Sequence, residues 1–452
     1  MTKNPKPNYI STTNACKLCT PLGAALAFKG IEGAVPYLHG SQGCATYMRR
    51  YIISHFNEPI DIASSSLSEK HAVYGGGPNL KLGLLNVTKK YRPKLIGIAT
   101  TCLTETIGDD VRLFLQEYER EVKGDKPLMV RVATPSYSGT HMEGFHGAVA
   151  AVVDSLAAAL ETKTSTVNIL PGFVSPADIR YLKEVVSDFG LSATILPDIS
   201  ETMDGPAAKK YEKIQAGGTS INEIGNMGAN LATLEFGHTM PVESGGAILQ
   251  QRFQVENRRL PLPMGITASD RLFAILTRIS GREIPDKHGK ERGRLVDSYV
   301  DGHKYLSGKR AIVYGEEDLV VGLTAFLAEI GIIPVLCASG GKSGRLAAEI
   351  AAATADLIPE QPQVFEGMDF FDISEMAADL TPDLLVGHSK GYSLARKLDI
   401  PLIRVGFPIH DRMGGQRIQH LGYRGAQHLF DQVVNAMIAR KQADSPVGYA
   451  YM

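Results

Sequence analysis

Short apolar runs alternate with stretches of helical spacing along almost the whole chain. The runs "GAVPYLHG" (33–40), "KLIGIATT" (94–101) and "LMVRVAT" (128–134) predict strands in the first third. A second set is "VNILPGF" (167–173), "SATILPD" (192–198) and "NLATLEF" (230–236). A third is "RAIVYG" (310–315), "IPVLCAS" (333–339), "DLLVGHS" (383–389) and "LIRVGF" (402–407). Between them, helices are predicted over 142–161, 177–190, 318–331 and 424–440. Strands that alternate with helices argue for α/β architecture with parallel sheets, and the number of elements predicts three such modules. Polar stretches near 162–166 and 285–292 place the boundaries. The expected domains are 1–163, 164–290 and 291–452, the last with a C-terminal helical segment.

Composition narrows the class. A chain of 452 residues is too long for one ordinary core. With 44% apolar and 21% charged residues it reads as a globular protein. A formal net charge of −1 offers no bulk attraction to nucleic acid or an anionic membrane. No apolar run approaches the roughly 20 residues of a membrane helix. The start, "MTKNPKPNYISTTN", lacks the apolar segment of a secretory signal. A cytoplasmic location is therefore expected, with no nucleic-acid or membrane partner. Five cysteines in that setting do not make a disulfide framework.

Ligands of α/β sheets bind in the loops beyond the carboxyl ends of the strands. After 33–40 comes "HGSQGCATYMRR", after 94–101 "TCLTETIGDD", and after 128–134 "PSYSGTH". These loops hold Cys44, Cys102, Ser136 and Ser138, and Cys16 and Cys19 lie upstream in "NACKLCTPLGA". Four of five cysteines thus fall within the first 102 residues. The Cys16-x-x-Cys19 spacing is shared by redox dithiols, zinc sites and iron–sulfur sites. A structural zinc site generally closes with four ligands, and no second C-x-x-C is present. A thioredoxin-like dithiol normally opens a helix after a strand, whereas this pair sits in a polar leader. Cys337, inside an apolar run, reads as a small core residue. "VYGEEDLVVG" lacks the glycines of a dinucleotide loop, and "YGGGPN" lacks the Lys-Ser/Thr of a phosphate loop, so both read as turns. His39, His55 and His71 read as packing residues before ligands. Arg49, Arg50 and Lys70 are candidates for positive charge beside thiolates, and Asp109-Asp110 for a helix cap.

Taken together, "CTPLGAALAFKGIEGAVPYLHGSQGC", "SSSLSEKHAVYGG", "IATTCLTETIGDD" and "TPSYSGTH" resemble the β-subunit side of the nitrogenase component 1 family. "ERGRLVD", "VGHSKG", "RVGFPIHDR" and "GYRGA" extend the resemblance over nearly the whole chain. It implies three Rossmann-like parallel-sheet modules of the nitrogenase component 1 type. It also implies that Cys19, Cys44 and Cys102 bind iron of an interfacial [8Fe-7S] P-cluster, with Ser136 an additional ligand on oxidation. Cys16 has no counterpart in that pattern. Tyr47 matches the aromatic position on the side where electrons leave. Tyr74 matches an aromatic in the surface that docks the reductase. Glu105, Asp109 and Asp110 would lie near the cluster.

The resemblance further implies partners: an α-type subunit completing the cluster, in an α2β2 assembly, and a separate ATP-hydrolysing reductase carrying a [4Fe-4S] cluster. The catalytic iron–sulfur metallocluster would belong to the α partner, so this chain carries no catalytic residues of its own. The expected function is electron relay in an oxidoreductase complex. Three members of the family compete: a methylthio-alkane reductase acting on C–S bonds, a dinitrogen-reducing nitrogenase, and a cofactor-assembly scaffold. The full cysteine set on a frame whose "AGGTSINEI" and "DRMGGQRIQHLGYRGA" look scaffold-like favours the first.

Overall fold

The computed structural model describes residues 14–447 except 161 and 208. The polar leader before residue 14 and the far end of the third expected domain lie outside the described residues.

Three parallel sheets follow one another along the chain. The first contains β1 (Ala34–His39), β2 (Ala63–Ser64), β3 (Leu95–Thr100) and β4 (Leu128–Val132), in the order β2-β1-β3-β4. The second contains β5 (Thr166–Leu170), β6 (Ser192–Ile195), β7 (Ala232–Phe236) and β8 (Glu256–Leu260), in the order β6-β5-β7-β8. The third runs β11-β10-β9-β12-β13, from β9 (Arg310–Gly315), β10 (Ile333–Ser339), β11 (Gln363–Phe365), β12 (Leu384–Gly387) and β13 (Leu402–Arg404). Every pairing within these sheets is parallel. This is the α/β, Rossmann-like architecture expected from the alternation. All ten expected strands are present. The three that went unread, β2, β8 and β11, are short or polar: two residues, "ENRRL" and "QVF". Each lies at or beside a sheet edge, where one face needs little apolar cover.

Two other departures matter for the site. The polar stretch near 285–292, where a boundary is expected, opens the helix Asp286–Leu306. The chain after Cys19 is not a leader but the helix Thr20–Lys29, with all ten of its residues buried. Being apolar all round, "TPLGAALAFK" has no amphipathic signature to betray a helix. It lies against the helix His141–Leu156, and two glycines allow the approach. A Cβ on Gly23 would fall 1.6 Å from the His141 carbonyl oxygen, and one on Gly144 would fall 1.8 Å from that of Thr20. The same helix–helix contact therefore fixes the segment that carries Cys19. Among the described residues no helix is long and apolar enough to cross a membrane.

Candidate functional site

In the first sheet the strand order reverses between β1 and β3, which pair from Ala34↔Leu95 to His39↔Thr100. That is the switch point where α/β sheets open a ligand crevice. Cys44 follows β1 and Cys102 follows β3. The sequence placed both in loops; the structure places both in the first turns of helices. Ser41 caps the helix Gln42–Phe56, its Oγ accepting from Gly43 N at 3.2 Å, and Cys44 is the third helical residue. Thr101 precedes the helix Cys102–Ile107, and its N–H donates to Thr104 Oγ1 at 3.0 Å. The Thr101 and Thr104 hydroxyls both donate to His39 O, at 3.1 and 3.0 Å, tying the two strand ends together. Cys19 in turn is the N-cap of the helix Thr20–Lys29. All three thiols thus stand at the N-terminal ends of helices.

Ser136, just past β4, knits the set. Its backbone N–H donates to Cys102 Sγ at 3.2 Å, and its Oγ accepts from Thr20 N, also at 3.2 Å. Burial raises the pKa of the Cys44 thiol, and the charges of Cys19 and Cys102 raise it further. The Cys19 and Cys102 sulfurs therefore both lie within electrostatic reach of Cys44. Yet among the described residues no three His, Cys, Asp or Glu side chains converge to hold one metal ion. A compact zinc site is not built here. Three thiols spread along one rim fit instead a polynuclear iron–sulfur centre that bridges the gaps between them. Cys19 and Cys44 are half-buried and Cys102 is exposed, so the rim faces outward.

The C-x-x-C divides. Cys16 is 4% exposed and packs among Tyr314, Leu336 and Phe370 of the third module. Its Sγ lies 3.7 Å from His388 Nε2. Burial, with Glu316 nearby, pushes its thiol up to about 12. Cys337 is also a core residue, its Sγ 3.2 Å from Thr324 Oγ1 and its thiol pushed up to about 12 by burial.

The three histidines are engaged in packing and hydrogen bonds. His39 is buried between Ser65 Oγ and Asp109 Oδ2, both at 3.0 Å; burial lowers its pKa and Asp109 opposes the shift. His55 accepts from Ile409 N at 3.0 Å, and burial holds it down to about 3. His71 accepts from Ser68 N at 2.9 Å. Asp110 is the helix cap foreseen, accepting from Leu113 N at 3.0 Å, whereas Asp109 turns inward to His39. Glu105 stays half-buried in the Cys102 helix. Arg49 does not face the thiols: it donates to Ile60 O at 2.7 Å and pairs with Asp61 at 3.6 Å. Arg50 and Lys70 are exposed. Tyr47, one turn beyond Cys44, is 46% exposed and its ring lies 4.7 Å from that of Tyr51. Tyr74 is 84% exposed, beside equally exposed Val73. "YGGGPN" is a turn that opens the helix Gly77–Tyr91.

Sequence reading missed the turn after β12. His388 reaches Cys16, the Lys390 ammonium donates to Ala15 O at 2.8 Å, and Asn14 Nδ2 donates to Lys390 O at 3.3 Å. The third module thus clamps the segment leading to Cys19 across more than 370 residues. No local pattern announces such a contact. A separate cavity of about 220 Å³ lies among the strand ends of the three modules, lined in part by His141, His146, Glu316 and Glu317. Burial pushes the Glu317 carboxyl up to about 7.

Comparison with known proteins agrees with this geometry. The family model for nitrogenase component 1 type oxidoreductases matches residues 19–438. The nitrogenase molybdenum-iron protein beta chain of Clostridium pasteurianum is 35% identical over 428 residues, covering 94% of this chain and 93% of that protein. That of Azotobacter vinelandii is 35% identical over 447 residues, covering 95% and 84%. The nitrogenase iron-molybdenum cofactor biosynthesis protein NifN of Bradyrhizobium diazoefficiens is 32% identical over 455 residues, covering 97% and 92%. The solved structure "Nitrogenase Cp1 at pH 6.5" superposes with a TM-score of 0.95 at 32% identity, covering 100% of this chain and 99% of that one. With the three-sheet architecture and the cysteine rim in place, the chain belongs to the nitrogenase component 1 family of oxidoreductases, on its β-chain side.

Proposed function

We propose that this chain is the β-type relay subunit of a two-component reductase and holds half of an interfacial [8Fe-7S] cluster. Cys19, Cys44 and Cys102 would be its iron ligands, with Ser136 available on oxidation. The observation that carries the reading is the outward-facing rim of three thiols at helix N-termini, Cys44 within electrostatic reach of the other two, but on no common ion position among the described residues. When bound, such a cluster supplies one-electron relay chemistry. The chain's own residues orient the ligands through Ser136 and the Thr101–Thr104 cap, and screen the inner side with the buried helix Thr20–Lys29. An α-type subunit, in an α2β2 assembly, would complete the cluster and carry the catalytic metallocluster. An ATP-hydrolysing reductase with a [4Fe-4S] cluster would dock where Tyr74 is exposed, and Tyr47 would lie on the exit side. The division into a cluster-binding unit (1–163), a second unit (164–290) and a third (291–452) belongs to the same proposal.

For the substrate we propose a methylthio-alkane, whose C–S bond is reduced. Near-equal identity to a nitrogenase β chain (35%) and to a cofactor-biosynthesis protein (32%) supports a branch distinct from both. Dinitrogen reduction is the second reading, favoured by the full-length likeness to molybdenum-iron β chains. Product analysis tests this. The anaerobic complex with its α partner and reductase is given ATP, dithionite and a methylthio-alkane under dinitrogen. Methanethiol release supports C–S reduction, and ammonium without thiol supports a nitrogenase. Neither product, from protein carrying its full iron, supports the assembly scaffold.

A further inference from the structure

Among the described residues, Lys390 is a cation without a carboxylate partner. It sits half-buried in the turn after β12, at the switch point of the third sheet, where β9 and β12 adjoin. No ion pair with Asp or Glu involves it among the described residues. Its ammonium donates to one neutral acceptor, Ala15 O at 2.8 Å, and stands 5.6 Å from the centroid of the Tyr51 ring. Both anchors lie near the cysteine rim: Ala15 lies four residues before Cys19, the Tyr51 ring lies tilted 4.7 Å from that of Tyr47 on the Cys44 helix, and Cys19 is within electrostatic reach of the ammonium.

A half-buried ammonium held by a carbonyl and a ring face is poorly compensated, and charges are seldom buried without an opposite one. Burial accordingly pulls the Lys390 pKa down, while the thiols of Cys16 and Cys19 push it back up. Cys16, pushed up to about 12, stays a neutral thiol near pH 7. That leaves the Cys19 side of the rim as the place where negative charge can meet this cation.

We infer that Lys390 is the counter-charge supplied by this chain to the anionic iron–sulfur centre at Cys19, and that its charge raises the centre's reduction potential. The inference rests on the proposed cluster. Reduction adds negative charge, and a fixed cation nearby in a partly desolvated setting favours the reduced form. The residue acts by position and charge; it makes no bond to iron. Tyr51 and Ala15 set where that charge stands.

The test is a redox titration followed by electron paramagnetic resonance, on the anaerobic complex with its α partner, comparing wild type with K390M, K390Q and K390R. Expected for K390M and K390Q is a midpoint potential more negative by about 59 mV, a tenfold shift in a one-electron equilibrium. K390R should stay near wild type. Loss of iron in both neutral variants with retention in K390R would equally support the counter-charge. Neutral variants with full iron and an unmoved potential overturn the inference while leaving the cluster reading intact. Loss of iron in all three variants overturns it as well, because shape and not charge would then be at issue. A wild-type complex without cluster iron instead overturns the reading on which the inference stands.

Discussion

His39 and Asp109 meet at 3.0 Å, Nε2 to Oδ2, and the same carboxylate accepts the Gly76 N–H at 3.1 Å. One side chain thus joins the end of β1, from which the Cys44 helix springs, to the turn behind exposed Tyr74. Replacing Asp109 with Ala leaves the buried His39 ring short of a partner. An unsatisfied buried group costs about 1–3 kcal/mol, and D109N, which keeps one acceptor oxygen, should cost less. Urea unfolding measures the loss. Hydrogen exchange should speed up over residues 71–77 in D109A; unchanged exchange there would dissociate the two loops.

Iron analysis of the assembled complex separates the cysteines. C19A, C44A and C102A should each lower the iron content and stop electron transfer. C16A should keep both, with only the loss of one buried sulfur, about 1–2 kcal/mol of stability. Full iron and activity in C44A would show the cluster assignment to be wrong, and iron loss in C16A would restore the C-x-x-C as a functional pair.

Asp178 is fully buried at the start of the helix Pro176–Asp188 and reaches across 242 residues to His420. It accepts from His420 N at 2.7 Å, Leu421 N at 2.9 Å and His420 Nδ1 at 2.8 Å. Burial alone would raise its pKa, but the His420 ring and these N–H groups outweigh it and hold the carboxyl below its usual range. D178A leaves the His420 ring and two buried backbone N–H donors unmet, and each unsatisfied buried group costs about 1–3 kcal/mol. Thermal unfolding should show a large drop in Tm; a change within 1–2 °C would mean that water replaces the carboxylate.

Acid should weaken the fold before ordinary carboxylates titrate. Burial holds His55 down to about 3 and His388 down to about 4, against an ordinary value near 6.5. Between those limits the unfolded chain binds protons that the folded chain does not. Stability from these groups is therefore full above pH 6.5 and is lost as pH falls toward 4. Each contributes a slope of up to about 1.4 kcal/mol per pH unit in that window. Urea midpoints at pH 7.5, 6 and 5 measure it, and H55Q should flatten the dependence. An equal slope in H55Q would acquit His55.

Tyr74 is almost wholly in solvent and supports no core. Y74A should leave stability within about 0.5 kcal/mol. In the proposed complex it should raise the reductase concentration needed for half-maximal activity, with iron content unchanged. Unaltered dependence on reductase would move the docking surface elsewhere.

The sequence by itself determined the architecture. Ten strands and four helices show in the alternation, seven of the strands because they are central, buried on both faces and nearly continuous apolar runs. Cys44, Cys102 and Ser136 follow three of those strands, so the sequence already brings them to one end of the first sheet. What escaped has physical causes. The edge strands β2, β8 and β11 carry too little apolar surface to stand out. The helix Thr20–Lys29 is buried on every side and so lacks a polar face to give it a period. The division of Cys16 from Cys19, the inward turn of Asp109, and the Lys390 clamp depend on contacts between residues far apart in the chain. Local pattern encodes which way a backbone folds; which thiol meets a histidine and which faces outward is decided only when three modules pack together.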